Sequence, residues 1–435
     1  MPRIGIRRED KSRFEARTPL VPADVARLVK EHGVDVTVER SERRVFREAD
    51  YESVGARVAD DLSDCPIILG VKEIPPEKLE ARKTYVYFSH TIKGQPANMP
   101  ALRRLLELDC QLIDFEKIED EQGRRMVFFG KFAGLAGMID TLWALGRRLK
   151  HEGIDSAFEA VQQAYRYNDL DHARRALRDV AERIRRDGLP EQLRPFVCGF
   201  AGYGQVSQGA QEIYDVLPVE EVSPDALDGL TAEANVCYKT VFHEEHMVEP
   251  VEPSRAFELQ DYYGHPKRYR SRFFPLLQHL TLMVNCIYWA PKYPRLVTLD
   301  QLRTMYGGSQ MPRLRVIGDI SCDIGGSVEC TVKSTEPDNP VFVWEPATGR
   351  PRDGVEGVGP VVLAVDFLPC ELPVDASGFF SRSLSPLIPG LAKADFSRLF
   401  AMCGLPSELE RATIVYQGAL TDRFKYLEEF VSGGV

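Results

Sequence analysis

Pro195-Phe196-Val197-Cys198-Gly199-Phe200-Ala201-Gly202-Tyr203-Gly204-Gln205-Val206-Ser207-Gln208-Gly209-Ala210 reads as a buried strand, a glycine turn and the first turn of a helix. The apolar run stops at Ala201, and the helical pattern continues to about residue 217. Strand, glycine turn and helix in that order are the setting a dinucleotide fingerprint requires. Glycines let the backbone approach a pyrophosphate, and the helix N-terminus adds N–H donors and the positive end of its dipole. Gly202, Gly204, Gln205 and Val206 are therefore expected to hold such a cofactor. Ser207 stands where the third glycine of G-x-G-x-x-G would fall, so Gly209-Ala210 is expected to provide close helix packing instead.

The next strand-like run, residues 219–222, ends at Ser223-Pro224. An acid at that end would hold the ribose 2′-hydroxyl of NAD and repel a 2′-phosphate. Glu220 and Glu221 are close by, but the terminal position is Ser223, which favours NADPH/NADP and leaves NADH/NAD open. Residues 225–270 read as an irregular insertion. It holds His243-Glu244-Glu245-His246, whose histidines are three apart rather than the four of H-E-x-x-H, so a polar loop is expected and no metal site. Two further buried strands follow at 280–288 and 314–321, then one at 361–365 ending at Asp366. Asp319, Asp323 and Asp366 fall at strand exits, where open α/β sheets collect ligands.

The chain before this unit alternates in the same way. Strands are expected at 3–7, 34–38, 66–71, 84–88 and 111–114, with a helix opened by Pro22 and another over 100–108. Residues 131–151, rich in glycine, alanine and leucine, read as a helix crossing between domains, and 174–186 as a solvated charged helix. The tail is expected to be helical at 376–383 and 421–431. The fold class is α/β, two Rossmann-like domains with parallel sheets separated by an active-site cleft. Residues 1–140 with about 370–435 form the substrate domain, and 141–369 the dinucleotide-binding domain, including the insertion.

At 435 residues the chain is long enough for two cores, and 44% apolar with 28% charged residues is a globular balance. A formal charge of −10 argues against a general nucleic-acid binder. No run of eighteen apolar residues and no signal-peptide pattern is present, so no membrane role and a cytoplasmic location are expected. The nine cysteines form no C-x-x-C pair and read as reduced core thiols.

Chemistry is expected in the first domain. Gly70-Val71-Lys72-Glu73 and Phe88-Ser89-His90-Thr91-Ile92-Lys93 place Lys72 and His90 at the carboxyl ends of strands. Such a pair can share proton transfer. Arg17, Lys93, Gln95, Glu116 and Arg125 are the further polar candidates, arginine suiting bidentate binding of carboxylates and lysine acting as a point charge. Without more, Lys72 reads as a solvated loop charge, Arg17 and Arg125 as ordinary surface charges, and Glu116 as half of a structural salt bridge.

Longer strings give these residues a context. Glu15-Ala16-Arg17-Thr18-Pro19, Gly70-Val71-Lys72-Glu73 and the strand-end His90 resemble the N-terminal domain of the alanine dehydrogenase and transhydrogenase family. Residues 88–100, 128–140, 202–212, 265–273, 285–289, 318–327 and 422–427 resemble the lysine–2-oxoglutarate reductase half of the aminoadipic semialdehyde synthases. The resemblance implies reductive condensation of L-lysine with 2-oxoglutarate to saccharopine, and its reverse, with a nicotinamide cofactor. It implies proton transfer by Lys72 and His90. Arg17, Lys93 and Arg125 would hold carboxylates, and Gln95 and Glu116 would orient substrate or catalytic groups. Cys286, Ile287 and Ser223 are expected to join the cofactor site. In the bifunctional members a saccharopine-cleaving enzyme follows this region, so the reductase is expected to work alone or with a separate partner, and a homo-oligomer is allowed. Gln205 replaces the asparagine of the family's glycine loop. The rivals are an alanine-type dehydrogenase or a reductase for another amine or 2-oxoacid, and a non-catalytic NADPH sensor, against which the intact Lys72/His90 pair argues.

Overall fold

The computed structural model describes residues 3–432. It comprises two compact units, one of residues up to Phe129 together with those from Pro373, the other Gly130–Leu372. The helix Gly130–His151 thus belongs wholly to the second unit.

The first unit is built on β1 (Arg3–Ile6), β2 (Asp35–Glu39), β3 (Arg57–Ala59), β4 (Ile67–Leu69), β5 (Thr84–Tyr87) and β6 (Gln111–Asp114). They pair in parallel in the order β6-β5-β4-β1-β2-β3, and two antiparallel strands, Thr413–Tyr416 and Ala419–Leu420, extend the β6 edge. β4, β5 and β6 are buried throughout, as short apolar runs covered on both faces must be. The helix Pro22–His32 starts on a proline whose missing N–H costs nothing there and stops at Gly33, which takes φ +62°. The helix Pro373–Leu384 returns the chain to this core, with Phe380 packed on Phe115 and Phe129 at ring separations of 4.9 and 4.7 Å.

The second unit contains β7 (Phe196–Ala201), β8 (Val219–Glu221), β9 (Cys237–Phe242), a small ribbon of β10 (Val248–Pro250) and β11 (Tyr269–Ser271), and β12 (Leu282–Asn285). β13 (Val316–Asp319), β14 (Val341–Glu345), β15 (Arg350–Asp353) and β16 (Val361–Leu363) complete it. The main sheet runs β15-β14-β16-β13-β12-β7-β9-β8, parallel from β16 to β8 with β14 and β15 antiparallel at one edge. The helix Gln205–Tyr214 lies against Gly130–His151 with no room for side chains. A Cβ on Gly134 would fall 1.9 Å from the Val206 carbonyl oxygen, and one on Gly209 would fall 2.1 Å from that of Lys131. Gly209 thus does the close packing expected of it in place of a third fingerprint glycine.

The reading of 225–270 as an irregular insertion is corrected. Residues 237–242 form β9, a central strand paired with β7 over six residues from Phe196↔Cys237 to Ala201↔Phe242. Lys239 and Thr240 break its apolar run, yet both are buried, with the Lys239 ammonium paired to Asp215 and Glu221 at 2.9 Å. All nine cysteines are free and buried. No described helix is long and apolar enough to cross a membrane.

Candidate functional site

In the first unit the parallel order brings the carboxyl ends of β1, β4, β5 and β6 side by side. Lys72 leaves β4, His90 leaves β5 and Glu116 leaves β6. His90 takes φ +50°, a left-handed conformation that an L-residue adopts only when its surroundings hold it there. Those surroundings are visible. Asp114, fully buried at the end of β6, accepts from the backbone N–H of Ser89 at 3.2 Å, from the Ser89 hydroxyl, and from the Glu116 N–H at 2.7 Å. Burial pushes the Asp114 carboxyl up to about 6 against these bonds. Asn98 Nδ2 donates to the His90 carbonyl at 3.0 Å, and the imidazole stacks on Phe88 at 6.2 Å.

The histidine's carboxylate partner is Glu73, with His90 Nδ1 2.8 Å from Glu73 Oε1. Burial by itself would raise the Glu73 carboxyl. The hydrogen bond and charge of His90, its own backbone N–H and the charge of Lys72 outweigh burial and bring it down to about 2. Glu73 is thus an anion at any working pH and fixes the imidazole. With Nδ1 facing a carboxylate, Nε2 is left as the reactive nitrogen.

Lys72 is held through its backbone. Glu9, just beyond β1, accepts from the N–H groups of Val71 at 2.7 Å and Lys72 at 2.9 Å. Glu9 is completely buried, which pushes its carboxyl up to about 7 despite Arg7 and these two donors. Glu9, Glu73 and Asp114 were not among the expected site residues. Glu73 adjoins Lys72 in the chain and Asp114 closes a strand, which are the only local signals, while the bond from Glu9 spans 62 residues of sequence.

The remaining candidates divide. Arg17 is buried and forks onto Glu15, Nε to Oε1 at 2.7 Å and Nη2 to Oε2 at 2.5 Å, with its guanidinium 4.2 Å from the Phe129 ring centroid. Two of its N–H groups already serve a carboxylate of this chain. Lys93 and Gln95 share the loop after His90, where the Lys93 N–H donates to Gln95 Oε1 at 3.1 Å. Arg125 is exposed and lies 3.9 Å from Glu116, so Glu116 is paired with arginine while His90 has Glu73.

In the second unit Gly202 takes φ +94°, and a Cβ there would press on Ile287 at 3.0 Å. Gly204 precedes the helix Gln205–Tyr214, and a Cβ on it would meet nothing within 4 Å. The helix N-terminus therefore opens onto space beside an unhindered backbone, as a dinucleotide's phosphates require. A cavity of about 360 Å³ adjoins the turn, lined by Gly202 and Gly204 and by Cys286 and Ile287, which follow β12. Gln205 and Val206 form the helix's first turn. Asp319 instead is buried, and it accepts from Asn285 Nδ2 at 2.8 Å and the Cys322 N–H at 3.2 Å, while burial lifts it to about 6. It ties strand ends together. Asp323 and Asp366 are exposed. Ser223 follows β8, which among the described residues pairs only with β9, so a whole strand separates it from the glycine turn.

Known proteins resemble this chain in sequence and in fold. Residues 5–136 match the alanine dehydrogenase/PNT N-terminal domain, and residues 277–423 match the C-terminal domain of the same family. The chain is 36% identical over 447 residues to the alpha-aminoadipic semialdehyde synthase of Arabidopsis thaliana, covering 98% of this chain and 41% of that protein. The mitochondrial alpha-aminoadipic semialdehyde synthase of Mus musculus is 34% identical, covering 98% and 48%. The chain thus spans about half the length of these curated relatives or somewhat less. A saccharopine dehydrogenase [NAD(+), L-lysine-forming] of Emericella nidulans is 26% identical over 92% of this chain and 94% of its own length. Among solved structures an L-alanine dehydrogenase superposes with a TM-score of 0.61 at 17% identity, covering 99% of both chains, a likeness of fold.

Proposed function

The chain belongs to the alanine dehydrogenase/PNT family, and on that premise we propose that it reductively condenses L-lysine with 2-oxoglutarate to saccharopine, and runs the reverse. The observation that carries the reading is the His90–Glu73 pair beside a backbone-clamped Lys72, at the carboxyl ends of two adjacent parallel strands. The lysine ε-amine must lose a proton before it attacks the keto carbon, and the carbinolamine hydroxyl must gain one to leave as water. His90 Nε2, its ring fixed by Glu73, takes the first proton, and the Lys72 ammonium gives the second. The imine then has the positive character that Glu73, as a standing anion nearby, stabilises. A reduced nicotinamide dinucleotide, for which Gly202, Gly204 and the first turn of the helix Gln205–Tyr214 form a fitting cradle, supplies the hydride when bound.

Saccharopine carries three carboxylates. Lys93 and Arg125, both exposed beside the strand ends, provide cations for them, with Gln95 and Glu116 setting the Lys93 loop and the Arg125 side chain. Arg17, locked on Glu15, braces the segment it lies in. An initial-rate screen of amines against 2-oxoacids tests the reading. L-Lysine with 2-oxoglutarate should give the fastest cofactor oxidation. A faster pair lacking either one, such as ammonia with pyruvate, would move the chain to an alanine-type reaction.

A further inference from the structure

Order in the sheet, rather than order in the chain, decides which strand end faces the glycine turn. β9 lies directly beside β7, and the Gly202 N–H donates to the carbonyl of Phe242, the last residue of β9, at 3.0 Å. The chain therefore leaves β9 level with the turn, and the residues it delivers there are His243 and Glu244. The His243 ring stacks on Tyr203 of the turn, with centroids 4.3 Å apart and planes 14° from parallel. Glu244 lines the cavity of about 360 Å³ together with Gly202 and Gly204. Tyr263 Oη donates to Glu244 Oε1 at 2.6 Å and holds the carboxylate in place. Its negative charge is also the main cause holding the Tyr203 phenol above its usual range. The Tyr203 phenol also hydrogen-bonds this carboxylate, and two such bonds leave it with further acceptor positions.

The rest of the lining is apolar and aromatic, with Ile287, Trp289 and Tyr293 beyond β12, which suits the flat face of a purine. We infer that this cavity takes the adenosine end of the cofactor, that Glu244 accepts hydrogen bonds from the ribose hydroxyls, and that the chain thereby selects NADH over NADPH. The inference rests on the nicotinamide-dependent reading above and deepens it. A 2′-phosphate at the same point would set a second anion against Glu244. No arginine or lysine lines the cavity among the described residues. Lys292 sits over the Tyr293 ring at 4.8 Å, and Arg295 is bonded to the Gly325 and Gly326 carbonyls and to Glu329. This reverses the preference read from Ser223, which took β8 for the neighbour of β7.

Equilibrium titration of the full chain with NADH and with NADPH, followed by the fluorescence of the reduced nicotinamide, tests it without turnover. The expected result is NADH binding at least about tenfold tighter, with the ratio falling by about tenfold in Glu244→Gln, the scale of a lost hydrogen bond to a charged group. The wild-type ratio depends on no variant's folding. Equal or tighter binding of NADPH would overturn the inference, and so would a ratio that Glu244→Gln leaves unchanged while Ser223→Ala shifts it. Either result leaves the nicotinamide-dependent reading standing. Binding of neither dinucleotide would overturn both.

Discussion

His90 Nδ1 and Glu73 Oε1 lie 2.8 Å apart, joining the carboxyl ends of two neighbouring parallel strands. Glu73→Gln keeps the size of the side chain and removes its charge. The expected result is a fall in kcat/KM of about 10²-fold, the lower range for a positioned acid–base group. The loss should fall on kcat and leave dinucleotide binding unchanged, because Glu73 fixes the ring that moves the proton. Steady-state rates and a binding titration check both. An unchanged kcat/KM would make Glu73 a packing residue only.

Glu9 accepts from the backbone N–H groups of Val71 and Lys72, so its loss should act on geometry. In Glu9→Gln the amide can accept from one of the Val71 and Lys72 N–H groups but sets its own NH₂ against the other. A destabilisation of about 1–3 kcal/mol is expected from the opposed buried donors. The rate should fall through kcat, while NADH binding by titration stays as in the wild type. Weakened cofactor binding would contradict this assignment.

Gly134 tests the packing beneath the glycine turn. Its Cβ position is filled by the Val206 carbonyl oxygen, so Gly134→Ala must push two helices apart. Overpacking of this kind costs about 1–3 kcal/mol or more, read as a lower denaturation midpoint. Weaker cofactor binding should accompany it, since Val206 belongs to the helix that carries the turn.

Asp114 gives a pH signature whose sign is fixed by the direction of its shift. Its folded value of about 6 lies above the ordinary 3.8, so between these values the folded chain binds a proton that the unfolded chain does not. Its contribution to stability therefore grows as pH falls from about 6 to 4, and is lost as pH rises through 6, by about 3 kcal/mol at most. Unfolding free energies of the wild type and Asp114→Asn should diverge in favour of the wild type across that window. Parallel curves would place the titration elsewhere.

Much of this architecture is legible in local pattern. Buried strands such as β4, β5 and β7 are short apolar runs ending in glycine or polar residues, and Lys72, His90 and Gly202 follow from where those runs stop. What is not legible is whatever depends on neighbours distant in sequence. β9 is masked by Lys239, whose ammonium is tolerated inside only because Asp215 and Glu221 meet it. With β9 unseen, β8 takes its place beside β7, and the ribose contact falls on Ser223. β14, an apolar Val341-Phe342-Val343-Trp344 run, carries the same local signal. The carboxylates that organise the Lys72 and His90 loops come from β1 and β6, and no spacing rule links them to those loops.

Lys72→Met tests most directly whether Lys72 and His90 perform proton transfer at a lysine-derived imine. Saccharopine formed from L-lysine and 2-oxoglutarate should be quantified under saturating NADH, alongside dinucleotide binding by the same protein. Binding should be unchanged and product formation reduced by about 10²-fold or more. Product formation at the wild-type rate would contradict it.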